Sequence, residues 1–194
     1  MRLTEIAHSK VAEHLQSGDC AIDCTMGNGY DTLFLARQIG PQGTVIAFDI
    51  QREALHSTKA LLNQNATTCN IDLHAENHKN IEAFIPHNWH QNVNAIMFNL
   101  GYRPRGDKSI CTLPETTIPA LNSSLEILSL KGILSVLVYP GHSEGQKEQK
   151  AIQDWQATLT KESVEVIRPS DQKSHPYLLL VRKATCSKAN RSRP

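Results

Sequence analysis

No stretch of this 194-residue chain approaches the roughly 20 apolar residues that a membrane-spanning helix requires. The first residues carry Arg2, Glu5 and His8 without a long apolar run, so they do not read as a signal peptide. Charge of one sign is also missing. The formal net charge of +1 predicts no strong global field, so any nucleic-acid contact has to come from a local patch. Cys20, Cys24, Cys69, Cys111 and Cys186 are odd in number and form no C-x-x-C pair or other metal-ligand spacing. That argues against a disulfide scaffold and a zinc site, and for a reduced, cytoplasmic setting. His87 and His90 share a polar loop without a carboxylate or cysteine at ligand spacing, and read as solvated. No internal repeat is present. The length suits one domain with a sizeable core over 1–183, followed by a basic, polar tail over 184–194 expected to be disordered.

What the chain does have is a short apolar run ending in acid, Cys20-Ala-Ile-Asp23, then a turn with Gly27-Asn28-Gly29, then a helical pattern from Asp31. Strand, glycine turn and helix make a corner for a dinucleotide or an adenosyl group. The third glycine of the G-x-G-x-x-G fingerprint would fall at Thr32. A pyrophosphate at this corner would face Asp23 and Asp31, which costs energy in a partly buried cleft. S-adenosylmethionine carries a sulfonium and an ammonium, so the same acids attract it. Asp31 equally suits the first turn of a helix, where acids are favoured.

The rest of the chain alternates. A lead-in helix over 3–16 is followed by strands near 20–25, 44–49, 71–75, 93–98 and 132–139. Helices are expected over 31–39, 51–63, 79–85, 115–130 and 145–160, the last two with Leu121, Leu125 and Leu128, and with Ile152 and Trp155, on their apolar faces. Runs at 163–168 and 177–183 are separated by a short loop and should pair antiparallel. This order implies an α/β fold with a mostly parallel sheet covered by helices on both faces. Ligands in such sheets bind beyond the strands' C-terminal ends. Asp23, Gly27, Asp49, Glu76, Asn99, Tyr139 and His142 all fall at such ends, and that convergence places the site.

The expected cofactor side comprises four groups. The first corner supplies Asp23, Thr25, Met26, Gly27, Asn28, Gly29, Asp31 and Thr32. The second strand ends in Asp49, twenty residues past Gly29, a separation that suits a carboxylate accepting from ribose hydroxyls; Gln51 follows it. Asp49 also suits a helix N-cap. Glu76, Asn77 and His78 follow the third strand, where polar groups can read an adenine edge, although Asn77 is equally a good N-cap. Asn99 and Gly101 follow the fourth.

Methyl transfer from a sulfonium is an in-line displacement, and the enzyme mainly positions the nucleophile. An amine needs acceptors that hold its N–H groups and aim its lone pair. The Asn99 side-chain carbonyl and the carbonyls after it suit that task, and Tyr102 can stack on a flat base. His142 and Asp107 are candidates to accept a proton from an ammonium substrate. Arg103, Arg105 and Lys108 can grip phosphates of an RNA, or form a solvated loop. Asn99-Leu100-Gly101-Tyr102 resembles the Asn-Pro-Pro-Tyr motif of amino-group methyltransferases, with Leu-Gly in place of the two prolines.

Taken together, Asp23-Cys-Thr-Met-Gly-Asn-Gly-Tyr-Asp-Thr32, Phe98-Asn-Leu-Gly-Tyr-Arg-Pro-Arg-Gly-Asp-Lys-Ser109, Thr116-Thr117 and Tyr139-Pro-Gly-His142 resemble the small bacterial class I methyltransferases long labelled rRNA methylases. Members of that family are understood to methylate the 5-aminomethyl group of (2-thio)uridine at the tRNA wobble position. The resemblance covers nearly the whole chain. It implies a Rossmann-like seven-stranded class I fold with an antiparallel C-terminal hairpin. It also implies S-adenosylmethionine as methyl donor, the anticodon stem-loop of tRNA as partner, and a homodimer. Ser109 and Tyr139 join Tyr102, Arg103, Arg105, Lys108 and His142 on the expected substrate side. Methylation of rRNA or of a small amine is the alternative within enzymes. A dehydrogenase or a non-catalytic nucleotide-binding module is the alternative outside methyl transfer.

Overall fold

The strand and helix alternation is realised as one mixed sheet in a computed structural model that describes residues 2–183 apart from 104, 105, 108, 170, 171 and 173. Arg105, Lys108 and the tail 184–194, all named in the sequence reading, lie outside the described residues. The elements in chain order are α1 (Leu3–Ala12), β1 (Cys20–Asp23), α2 (Tyr30–Ile39), β2 (Thr44–Phe48), α3 (Arg52–Gln64) and β3 (Asn70–His74). After two 3-10 turns come β4 (Val93–Asn99), α4 (Pro114–Ile127), β5 (Leu128–Val138), α5 (Ser143–Thr158), β6 (Glu162–Ile167) and β7 (Tyr177–Lys183).

The sheet order is β3-β2-β1-β4-β5-β7-β6. The first five strands run parallel, and β7 lies antiparallel between β5 and β6. The chain walks outward from β1 in one direction through β2 and β3, then returns to β4 on the other side. The switch point is therefore the gap between β1 and β4, where open α/β sheets form their ligand crevice.

Alternate residues of each central strand feed two cores. Ile22, Phe48, Ile96, Phe98, Leu134 and Val136 face one side, against Leu121 of α4 and Ile152 and Trp155 of α5. Ala21, Val45, Ala95, Met97 and Ile133 face the other, against Ala7 and Val11 of α1 and Leu35, Ala36 and Ile39 of α2. The bulkier set lies on the α4 and α5 side.

Three departures from the sequence reading stand out. The lead-in helix stops at Ala12 instead of 16, although Leu15 still packs on the core. The helix expected over 79–85 is a 3-10 helix, His78–Phe84, capped by Asn77, whose side chain accepts from the Lys79 N–H at 2.9 Å. The helix expected over 115–130 ends at Ile127, and Leu128 begins β5 in extended conformation. The sheet overrides helical periodicity there because Leu128 pairs with Val93 ahead of a register shift. Gly132 closes that irregularity: a Cβ there would sit 2.8 Å from both the Val93 carbonyl and the Leu128 side chain.

Candidate active site

A cavity of about 780 Å³ opens beyond the C-terminal ends of β1, β2 and β4. Its floor is the turn after β1. The Met26 N–H donates to the Phe48 carbonyl and the Gly29 N–H to the Met26 carbonyl, which folds the turn back across the strand ends. Gly27 and Gly29 have φ of +54° and +85°, in the left-handed region open to glycine. Gly29 is also sterically required, because a Cβ there would lie 2.9 Å from the Thr58 Cα on α3.

Asp23 is fully buried behind this turn and does not line the cavity. Its carboxylate accepts from the Thr25 N–H at 3.1 Å and the Thr32 hydroxyl at 2.6 Å. Thr32, at the missing third glycine, thus ties α2 to β1 through its side chain. Asp23, Gly29 and Thr32, expected on the cofactor side, stand behind the cavity wall, with their polar groups turned inward. Burial pushes the Asp23 carboxyl up to about 7, helped by the nearby Asp31 and Asp49 charges and opposed by its two hydrogen bonds.

Three carboxylates do face the cavity: Asp31, Asp49 and Glu76. Asp49 accepts from the Gly27 N–H at 2.9 Å and the Gln51 N–H at 2.8 Å, so it fixes the glycine turn. Each of its oxygens retains a further lone pair for a ligand hydroxyl. Asp31 meets His8 of α1, with Nε2 and Oδ1 2.6 Å apart, and the His8 ring stacks on Phe34 at 3.9 Å. Thr25, Met26, Asn28, Gln51, Asn77 and His78 complete this half of the wall. The His78 Nδ1 lies 3.1 Å from the Cys24 carbonyl, which can only accept, so Nδ1 carries the proton and Nε2 is an acceptor. Burial lowers the His78 pKa to about 4 and keeps the ring neutral. Two glycines in the left-handed region, a carboxylate at the end of β2 and three acids on one wall suit the diol and the two cationic centres of S-adenosylmethionine.

The other half of the wall comes from β4, β5 and the loops after them. Asn99, Leu100, Gly101, Tyr102 and Arg103 line it, with Tyr139 and His142 beside them. The Asn99 N–H donates to the Thr25 hydroxyl at 2.7 Å, which clamps this stretch to the glycine turn. Gly101 has φ of +115°, a conformation proline cannot adopt. Leu-Gly is thus more than a sequence variant of two prolines: the backbone turns differently here. The turn is held by the Thr112 hydroxyl, which accepts from the Gly101 N–H at 2.8 Å and donates to Glu148 at 2.8 Å. Glu148 on α5 is buried, also accepts from Thr117 at 2.6 Å, and has its pKa raised by burial.

The substrate-side expectations divide. Tyr102 is 42% exposed, with its ring centroid 5.7 Å from that of His142. The His142 Nδ1 accepts from the Gly145 N–H at 3.1 Å and caps α5, so a neutral ring carries its proton on Nε2. The proposed proton acceptor is therefore a donor in this geometry. Burial, and secondarily the Asp31 charge, raises the Tyr139 pKa, so its hydroxyl stays protonated. Asp107 and Ser109 are off the cavity wall. Both the Ser109 hydroxyl and N–H donate to Asp107, holding that exposed carboxylate below its ordinary range and making it a poor base. Arg103, expected to reach phosphate or solvent, donates to Asn28 at 2.9 Å and Ser57 at 2.7 Å.

The sequence reading missed Arg2 before α1, Thr4 and His8 on it, and Ser174 and Pro176 before β7, all of which line the cavity. Thr112 and Glu148 carried no motif signal.

Residues 45–183 match the family described as "Putative rRNA methylase". The tRNA (mnm(5)s(2)U34)-methyltransferase, chloroplastic, of Arabidopsis thaliana is 38% identical over 161 residues, 78% of this chain; the chain spans 58% of that relative's length. A "putative rRNA-methylase" from Clostridium thermocellum superposes with a TM-score of 0.88 at 34% identity, covering 94% of this chain and 98% of its own. A "putative methyltransferase" from Streptococcus mutans, solved in complex with SAH, gives a TM-score of 0.82 at 33% identity, with the same two coverages of 94% and 98%.

Proposed function

The chain belongs to the family described as "Putative rRNA methylase" and is an S-adenosylmethionine-dependent methyltransferase; from that premise we propose that it methylates the 5-aminomethyl group of (2-thio)uridine at the tRNA wobble position. The product is 5-methylaminomethyl-(2-thio)uridine, and the partner is the anticodon stem-loop. The observation that carries this reading is that Asn99 and Tyr102 share one cavity with the glycine turn and Asp49. An acceptor suited to an amine and an aromatic suited to a base thus stand beside the cofactor wall. The name of the Arabidopsis relative supports the wobble uridine as the base.

Bound S-adenosylmethionine supplies an electrophilic methyl group on a sulfonium. The chain's own residues orient the incoming amine. The Asn99 side-chain oxygen accepts one amine N–H, which leaves the lone pair free to point at the methyl. Tyr102 stacks on the uracil ring. The His142 ring, with its centroid 5.7 Å from that of Tyr102, borders the space for the base. Asp31, Asp49 and Glu76 favour the cationic cofactor over its neutral-sulfur product, which assists product release.

Incubating the protein with methyl-labelled S-adenosylmethionine and either total tRNA or ribosomes tests the reading. The expected result is label in tRNA, with nucleoside mass spectrometry showing conversion of 5-aminomethyl- to 5-methylaminomethyl-(2-thio)uridine. Label confined to ribosomal RNA overturns it, as does a failure to label tRNA carrying the aminomethyl precursor.

A further inference from the structure

We propose that the groove beside the active-site cavity, between the start of α2 and one face of α3, holds the nucleotide next to the target uridine, its base stacked on Tyr30. This rests on the RNA substrate proposed above. The groove encloses about 370 Å³ and is lined by Ser57, Ala60, Leu61 and Gln64 of α3. These positions recur at three- and four-residue spacing and so form a single helix face. Small side chains at Ser57 and Ala60 leave the floor open.

Three residues, Asn28, Tyr30 and Arg103, line both the groove and the main cavity. The two spaces are therefore neighbours, and a strand of RNA with its target residue in one can continue into the other. Tyr30 is 67% exposed although it is a large aromatic residue at the mouth of a buried site. An exposed aromatic face bordering a nucleic-acid site serves as a sequence-tolerant stacking platform. Arg103 stands at the junction with its guanidinium donating to Asn28 and Ser57. Neither acceptor carries charge, so its positive charge remains available to the phosphate that joins the two nucleotides. Gln64 offers both a donor and an acceptor at the groove to a base edge.

A double-mutant cycle tests the subsite. The probe is an anticodon stem-loop RNA carrying 5-aminomethyluridine, with the neighbouring residue on each side in turn left intact or made abasic. With the wild-type protein, one of the two abasic RNAs should raise KM about tenfold, the scale of one base–aromatic stack. Tyr30→Ala should raise KM for the intact RNA by a similar factor and lose no more with that abasic RNA. Tyr30→Phe should restore the wild-type KM, and Tyr30→Ala should bind S-adenosylmethionine within about twofold of wild type. An unchanged KM in Tyr30→Ala overturns the subsite, and so do losses that simply multiply. Wild-type protein that transfers no methyl to the intact RNA overturns the wobble-uridine reading, and the subsite with it.

Discussion

Asp23 and His78 sit on either side of the Cys24 turn and hold opposite protonation preferences. An unfolded aspartate titrates near its ordinary 3.8, whereas folded Asp23 titrates near 7. Between those values the folded chain keeps a proton that the unfolded chain has released. The contribution of this group is complete below about pH 3.8 and is lost as pH rises to 7. His78 falls from an ordinary 6.5 to about 4, so its contribution is complete above pH 6.5 and is lost as pH falls to 4. Over the shared window the two slopes offset. Asp23→Asn should therefore show a melting temperature that drops, relative to wild type, by roughly 5 °C on acidification from pH 6.5 to 4. His78→Gln should show the opposite relative trend. Calorimetric melts across that range decide the matter, and matching slopes in all three proteins would contradict it. At Asn99 the prediction is kinetic. Asn99→Ala should lower turnover about a hundredfold while S-adenosylmethionine affinity changes less than about threefold, since a misplaced nucleophile costs rate before it costs cofactor binding. A larger loss of affinity than of turnover would refute an acceptor role.

At the scale of elements, the glycine turn and α5 each set part of the site through contacts that no motif records. Gly27 and Gly29 look equivalent in the sequence. The structure separates them: a Cβ on Gly27 meets nothing nearer than 3.8 Å, while one on Gly29 collides with Thr58. Gly29→Ala should therefore cost several degrees of melting temperature more than Gly27→Ala, because α2 must move off α3. Equal losses would show that backbone conformation alone matters. Glu148 acts at one remove, through Thr112, on the Gly101 turn. Glu148→Gln should lower turnover roughly tenfold with little change in cofactor affinity, because the amide cannot accept from both threonines as the carboxylate does. Single-turnover rates beside calorimetric binding check this. These elements also mark where sequence reading stops. The strands and the acids at strand ends were legible because apolar runs bounded by glycine and acid report burial directly. The start of β5 was not legible, because Leu128 continues the helical spacing of Leu121 and Leu125 and only pairing with Val93 pulls it into the sheet. Asp23 was legible as a strand-end acid, but its burial behind the turn was not, since spacing does not say which side of a turn a carboxylate faces.

For the whole molecule, the cavity is a product of tertiary packing. α1 brings His8 to Asp31, and the segment before β7 brings Pro176 to the same rim. Neither was readable as part of the site, because each lies far in sequence from the glycine turn and meets it only once the sheet is assembled. S-adenosylmethionine at a hundredfold excess over its Kd should raise the melting temperature by roughly 5–10 °C, since ligand that binds only the folded chain stabilises it by about 2.7 kcal/mol. Asp49→Ala should blunt that shift at the same ligand concentration, and an unaltered shift would remove Asp49 from the cofactor site. The position of β7 has a further consequence, for biosynthesis. β6 is translated before β7 yet touches the sheet only through it, since the order runs β5-β7-β6. As the chain leaves the ribosome, β5 presents a bare edge of Leu134, Val136 and Val138, and β6 has nothing to join. Among the described strands the one made latest is the keystone, so the nascent chain is most exposed to mispairing in the interval before residues 177–183 emerge.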